Sequence, residues 1–208
     1  VRYFERIAAG IDVEPLLHQI TTQPGLWNAV PIRSKYGNHA STDDILLRYN
    51  RFDPANDDPR EAVVSNIACV NYPAFAALPH AMPIIFGLMA RVQGVHLGRV
   101  FTSRLPPEGV IPLHSDRDPA SERDYPDREI PAVYYERYQL TLRSQPNVVF
   151  ICGDERIYME PGTIWWFDNQ AQHSVENRSK DDRIAMTIDI RPYKPVITTT
   201  PSAPHPVR

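Results

Sequence analysis

Cysteine is nearly missing from this chain: Cys69 and Cys152 are the two present among 208 residues. Two thiols are too few for the disulfide framework of a small secreted scaffold, so a reducing compartment, the cytoplasm, is the expectation. Basic charge is not in excess either, with 22 Lys and Arg against 25 Asp and Glu and a formal net charge of −3. Such a balance provides no field for a nucleic-acid backbone or an anionic membrane surface, and neither partner is expected. No apolar run approaches the roughly 20 residues that span a bilayer, and no signal-peptide pattern opens the chain. No internal repeat is visible. With Val1 in the first position, an initiator and a short leader are expected to be missing.

What is present in quantity is proline, with 21 residues, about twice the ordinary usage of roughly 5%. The run from Pro192 through Pro195, Pro201, Pro204 and Pro206 has no periodicity and reads as an extended tail, residues 192–208. The remainder, 1–191, is of a length that one domain with a buried core can use. Up to about residue 95 the reading is mixed. Asp12 is a plausible N-cap for a short helix over Val13–Ile20, with Leu16, Leu17 and Ile20 on one face. A strand is expected at Ile45–Tyr49. Two helical pieces should follow between Tyr72 and Val92, broken around Pro79, with Ile84, Ile85, Leu88 and Met89 as an apolar stripe that packs on a sheet.

From Leu97 the pattern changes to short strands divided by turn signals, the cue for a sandwich or barrel. Candidates lie at Leu97–Leu105, Val110–His114, Tyr134–Leu142, Val148–Cys152, Glu155–Met159, Thr163–Phe167, His173–Asn177 and Ile184–Ile190. Gly153 and Asp154 suit a hairpin turn, and Pro161 and Gly162 a type II turn. Eight strands suit a jelly roll. Trp165 and Phe167 share one face of their strand and Trp166 takes the other, so one large ring belongs to the core and another to a pocket or interface.

Chemistry enters at His114-Ser-Asp116. Residues two apart on a strand point the same way, and a distant His173 would complete a set of two imidazoles and one carboxylate, the facial triad that holds non-haem Fe(II) and leaves the opposite positions open. Arg183 follows in HSVENRSKDDR and can offer a rigid two-pronged donor to a carboxylate. A solvated His and a turn Asp would produce the first motif equally well, and Asp181 and Asp182 beside Arg183 could form a simple charged turn.

Two longer stretches, LGRVFTSRLPPEGVIPLHSD and YERYQLTLRSQPNVVFICGDERIYMEPGTIWWFDNQAQHSVENRSKDDRIAMTIDI, resemble the aspartyl/asparaginyl β-hydroxylase-like branch of the Fe(II)/2-oxoglutarate dioxygenases over about Leu97 to Ile190. The resemblance implies a double-stranded β-helix, mainly β with flanking helices, that brings the motif and the distal His together at the barrel mouth. It implies that His114, Asp116 and His173 ligate Fe(II), that Arg183 binds a 2-oxoglutarate carboxylate, and that Arg137 and Ser103 fall on positions that contact this cosubstrate. Gln139 stands where some relatives have a His. Mammalian-type members lack the carboxylate ligand, so Asp116 makes the expected site more like that of the bacterial amino-acid hydroxylases, and an aspartate in that position argues against halogenation. The implied reaction consumes O2 and 2-oxoglutarate, releases succinate and CO2, and hydroxylates a side chain of a free amino acid or a peptide.

The densely charged segment Arg117–Glu129 is either a solvated loop or a cover over the site, with Arg117, Arg123 and Arg128 as candidates for a substrate carboxylate. His18, His39, His80, His96 and His205 have no partner at ligand spacing and read as ordinary surface or loop residues. Two readings from other classes stay open: a cupin-like module that binds a metal or small acid without turnover, and a cupin-type isomerase indifferent to 2-oxoglutarate and O2. Oligomeric state is not legible.

Overall fold

The computed structural model describes residues 3–35, 39–53, 69–116 and 135–193. The charged segment 117–129 and the tail beyond Tyr193 lie outside the described residues, and with them Arg117, Arg123, Arg128 and His205.

Eleven strands form two antiparallel sheets: β1 Phe4–Ala8, β2 Asp43–Asn50, β3 Cys69–Asn71, β4 Gly94–Leu105, β5 Val110–His114, β6 Glu136–Arg143, β7 Val148–Cys152, β8 Glu155–Ile157, β9 Ile164–Phe167, β10 His173–Asn177 and β11 Arg183–Pro192. The larger sheet runs β1-β9-β6-β11-β4-β2-β3, and the smaller β5-β10-β7-β8. This is a double-stranded β-helix, widened by β1, β2 and β3. All eight strands expected in the second half are present. β8 is shorter than expected because the chain leaves the ladder after Ile157, and β11 is longer, running from Arg183 to Pro192 beside β4. Helices α1 Glu14–Thr22, α2 Ile32–Lys35, α3 Pro73–Ala77 and α4 Ala81–Arg91 complete the described fold. None among the described residues is long and apolar enough to cross a membrane.

Strict alternation along the central strands separates two cores. In β11, Ile184, Met186, Ile188 and Ile190 face the helices, as do Tyr138, Leu140 and Leu142 of β6, and meet Leu16, Leu17 and Ile20 of α1 and Ile85 and Leu88 of α4. The opposite faces turn toward the smaller sheet, where Leu105, Ile111, Phe150, Cys152, Phe167 and Val175 pack together. Trp166 is therefore core on the helix side, and Phe167 lies between the sheets. The break between α3 and α4 falls at Leu78–His80, as Pro79 requires. Asp12 caps differently from expectation: its Oδ1 accepts the Glu14 amide at 3.2 Å, while Val13 occupies the N-cap without a side-chain bond.

The turn between β7 and β8 depends on Gly153, whose φ is +57°, and a Cβ built there would overlap the Tyr3 ring. Both the left-handed backbone and the contact with β1's lead-in act against any side chain. Gly153→Ala should lower unfolding stability by about 2 kcal/mol or more, read as a shift of the urea midpoint at constant slope.

Candidate active site

β5 and β10 are neighbours in the smaller sheet, and their register sets His114 opposite His173. The two ring centroids are 4.3 Å apart. β5 ends at His114, so Asp116 lies just past the strand, where its amide donates to the Asn169 carbonyl at 2.9 Å and the chain bends back toward β10. One ligand atom from each of His114, Asp116 and His173 falls within 4.8 Å of the others. His114 Nε2 is 3.8 Å from Asp116 Oδ1, and His173 Nε2 is 3.4 Å from Asp116 Oδ2. An ion bonded at about 2.1 Å to each atom would hold them about 3 to 4 Å apart, so small rotations close the set.

The donors are also turned the right way. His114 Nδ1 is 2.8 Å from the Pro112 carbonyl and His173 Nδ1 is 2.9 Å from the Ala171 carbonyl. A carbonyl can only accept, so both Nδ1 atoms donate there and Nε2 is left as the ring nitrogen that would take a metal. Burial lowers the pKa of His173 despite the opposing pull of Asp116. Burial alone would raise Asp116, but the charges of Arg137, His173, His114 and Arg33 outweigh it and hold the carboxyl below its ordinary value. Phe150 and Phe167 flank the His173 ring at 6.1 and 5.1 Å between centroids, which fixes its plane.

Arg137 is the neighbour that orients Asp116. Its Nη1 donates to Asp116 Oδ2 at 2.5 Å, while Nε and Nη2 form a fork on Asp189 Oδ1 and Oδ2 at 2.7 and 2.8 Å. The guanidinium is thus engaged by two carboxylates. Ser103 is engaged too, as its hydroxyl donates to Asp44 Oδ1.

Arg183 is different. It is 3% exposed, and its one hydrogen bond among the described residues runs from Nη2 to Gln139 Oε1 at 2.8 Å. No carboxylate neutralises it there, and burial pushes its pKa down to about 10. Thr141 shares the inward face of β6 with Gln139, and its buried hydroxyl has no hydrogen-bond partner. A buried guanidinium with no carboxylate partner among the described residues, on the same inner layer as an unpaired hydroxyl, could receive an anion.

Several members of the site were not read from the sequence. His39 is no surface residue: its ring stands edge-on to His114 at 5.3 Å between centroids, and its Nδ1 is buried without a partner. Long-range contact of this kind leaves no trace in local spacing. Arg33, Asp44 and Thr141 were also missed. Asp189 could have been found, because Arg183, Ala185, Thr187 and Asp189 alternate with Ile184, Met186, Ile188 and Ile190. His96 bonds the Tyr135 hydroxyl at 2.7 Å, Asp181 accepts from Gln145, and Asp182 lies 3.9 Å from Arg104. Cys152 sits directly opposite His173 in the ladder, and burial raises its thiol to about 12.

The fold is a double-stranded β-helix in which His114, Asp116 and His173 could hold a metal ion, with Arg183 as a separate buried cation. The family model for aspartyl/asparaginyl beta-hydroxylases matches residues 66–192, and the chain belongs to that family. No curated protein matches the sequence. Among solved structures the chain is similar to a Trichoplax adhaerens prolyl hydroxylase in complex with a hypoxia inducible factor oxygen degradation domain peptide fragment. That match has 13% identity and a TM-score of 0.54, and covers 91% of this chain and 84% of that one. A Pseudomonas putida prolyl-4-hydroxylase is also similar, at 13% identity and a TM-score of 0.48, covering 93% and 95%. At these identities the likeness is one of fold.

Two outcomes follow. Arg137→Gln leaves Asp116 and Asp189 without their shared cation, and Fe(II) affinity should fall roughly 10- to 100-fold in an anaerobic competition titration. Burial keeps His173 neutral, and keeps His39 neutral far below its ordinary range with help from Arg33 and His114. Below about pH 6.5 the unfolded chain binds protons at these histidines that the native fold refuses, so stability is lost as pH falls. Melting of the metal-free protein should drop between about pH 7 and 5, and His39→Asn should flatten that slope.

Proposed function

We propose that the protein is an Fe(II)- and 2-oxoglutarate-dependent dioxygenase that hydroxylates an amino-acid side chain, on a free amino acid or a peptide. Family membership and the cluster His114, Asp116, His173 support this reading. The observation that carries it is Arg183, a buried cation without a counter-charge among the described residues. A binding module for a metal alone would have no use for it.

In this reading His114 and His173 hold the iron through Nε2 and Asp116 through a carboxylate oxygen. Fe(II), when bound, supplies O2 activation: one oxygen atom goes to 2-oxoglutarate, which leaves as succinate and CO2, and the other enters a substrate C–H bond. The chain's own groups bind and orient. Arg183 and Gln139 receive the far carboxylate of the cosubstrate, with the Thr141 hydroxyl on the same face of β6. Arg137 keeps Asp116 ionised and turned toward the histidines. Phe150 and Phe167 exclude water from the His173 side. Ser103 serves through Asp44, whose carboxylate it steadies. The peptide fragment bound to the Trichoplax prolyl hydroxylase favours neither kind of amino-acid substrate here.

Anaerobic titration of the metal-free protein with Fe(II) and then 2-oxoglutarate should develop a visible metal-to-ligand charge-transfer band, and with O2 the complex should form succinate slowly without a substrate. His173→Ala should abolish both. Arg183→Ala should weaken 2-oxoglutarate roughly 100-fold, as the loss of two charge-assisted bonds predicts, with Arg183→Lys between. Iron binding with no band would make the protein a cupin-like module or an isomerase instead.

A further inference from the structure

A second cation reaches the site from a part of the chain that the family pattern does not cover. The matched region begins at residue 66, whereas α2 and the segment leading into β2 precede it. Three sets of bonds fix this segment. Asn28 Oδ1 accepts the Asp44 amide at 3.0 Å and the Asn28 amide donates to the Asp44 carbonyl at 2.8 Å. The Thr42 hydroxyl donates to the His39 carbonyl at 2.9 Å. The Ser41 hydroxyl donates to the Val110 carbonyl at 2.7 Å, which ties the segment to β5, the strand that ends in His114.

So anchored, the segment carries two groups that lie close to the triad. One is His39, edge-on to His114 with its Nδ1 unspent. The other is Arg33, whose side chain is 6% exposed. Its Cζ lies 3.9 Å from the centre of the Phe101 ring, and Arg137 Cζ lies 5.9 Å from the same ring. The two guanidinium carbons are therefore no more than about 10 Å apart, and Arg33 acts on the charge of Asp116 itself.

Arg33 is only partly spent. Asp44 Oδ2 takes its Nε at 3.3 Å, and the Tyr49 hydroxyl also favours its charge. No second carboxylate reaches it among the described residues. Asp44 accepts from Ser103 on Oδ1 and from Arg33 on Oδ2, so it aims the guanidinium. The Phe101 ring lies against one face of the group and belongs to a buried apolar cluster with Ile32, Leu46 and Tyr49. A planar donor held by one edge on Asp44 and by one face on Phe101, near Asp116 and separate from the Arg183–Gln139 pair, suits the carboxylate of a small molecule.

We propose that Arg33 is the specificity residue that binds the α-carboxylate of the substrate, which makes the substrate a free amino acid, with His39 giving one further hydrogen bond to it. This rests on the dioxygenase reading above and narrows it. A residue inside a peptide has no free α-carboxylate to place there.

The test uses the full chain loaded anaerobically with Fe(II) and 2-oxoglutarate. Proteinogenic L-amino acids are added one by one as free acids, as carboxamides, and as central residues of end-capped tripeptides, and the perturbation of the charge-transfer band is followed. A free acid should shift the band with a half-saturation roughly 10- to 100-fold lower than its carboxamide. Arg33→Gln should erase that preference, and Arg33→Lys should keep part of it. Carboxamides or capped tripeptides as effective as the acid in the wild-type protein, no response to any free acid, or an undiminished preference in Arg33→Gln would each overturn the proposal. The wild-type comparison needs no variant to fold. Absence of the band before any amino acid is added would overturn the dioxygenase reading, and the clamp with it.

Discussion

Arg137 is the joint on which the site depends. One edge of its guanidinium is locked on Asp189, which stands on the inward face of the longest-paired strand of the large sheet, and its remaining amine holds Asp116. Asp116 lies beyond its strand, on a chain that leaves the ladder, and could not be held there by backbone pairing alone. Removing the cation would leave the buried Asp189 without its partner, a loss of the order of 3–5 kcal/mol. The same contact keeps Asp116 ionised, so metal affinity and the stability of the inner face are properties of one group. Beside it, Arg33 keeps one edge on Asp44 and one face on Phe101, and Arg183 is set apart with a neutral glutamine.

Much of this arrangement was legible in the sequence. The eight strands of the second half followed from alternation and turn residues, since each strand has one face on a core and the other on a polar or second apolar layer. His114, Asp116 and His173 were visible because metal ligands are few in kind and the first two are close in the chain. The contributions of the first half were not visible. Arg33, His39 and Asp44 act across separations that carry no periodic signal, and their importance comes from where β2 and its approach are placed against β4 and β5. Arg137 and Ser103 were noted as residues near the cosubstrate. In the structure their bonds go to carboxylates, a distinction that only three-dimensional accounting of donors and acceptors can draw.

The site thus has two sources. The β-helix carries His114, Asp116, His173 and Arg183, all in the segment that the family pattern spans. Arg33 and His39 come from residues ahead of it, held by Asn28 to β2 and by Ser41 to the edge of the smaller sheet. Such a division lets these residues vary while the metal-binding face is kept, because the anchors at Asn28 and Ser41 involve backbone groups that any residue on β2 or β5 would provide.

Cys152 faces His173 across the ladder, with a thiol held near 12 by burial. Burial thus disfavours the thiolate, the form that ligates soft metals and reacts with oxidants. In the dioxygenase reading, an iron ion held by His173 would have for a neighbour a sulfur atom that competes little for the metal and is shielded from oxidation, and the apolar packing between the sheets would serve as chemical insulation.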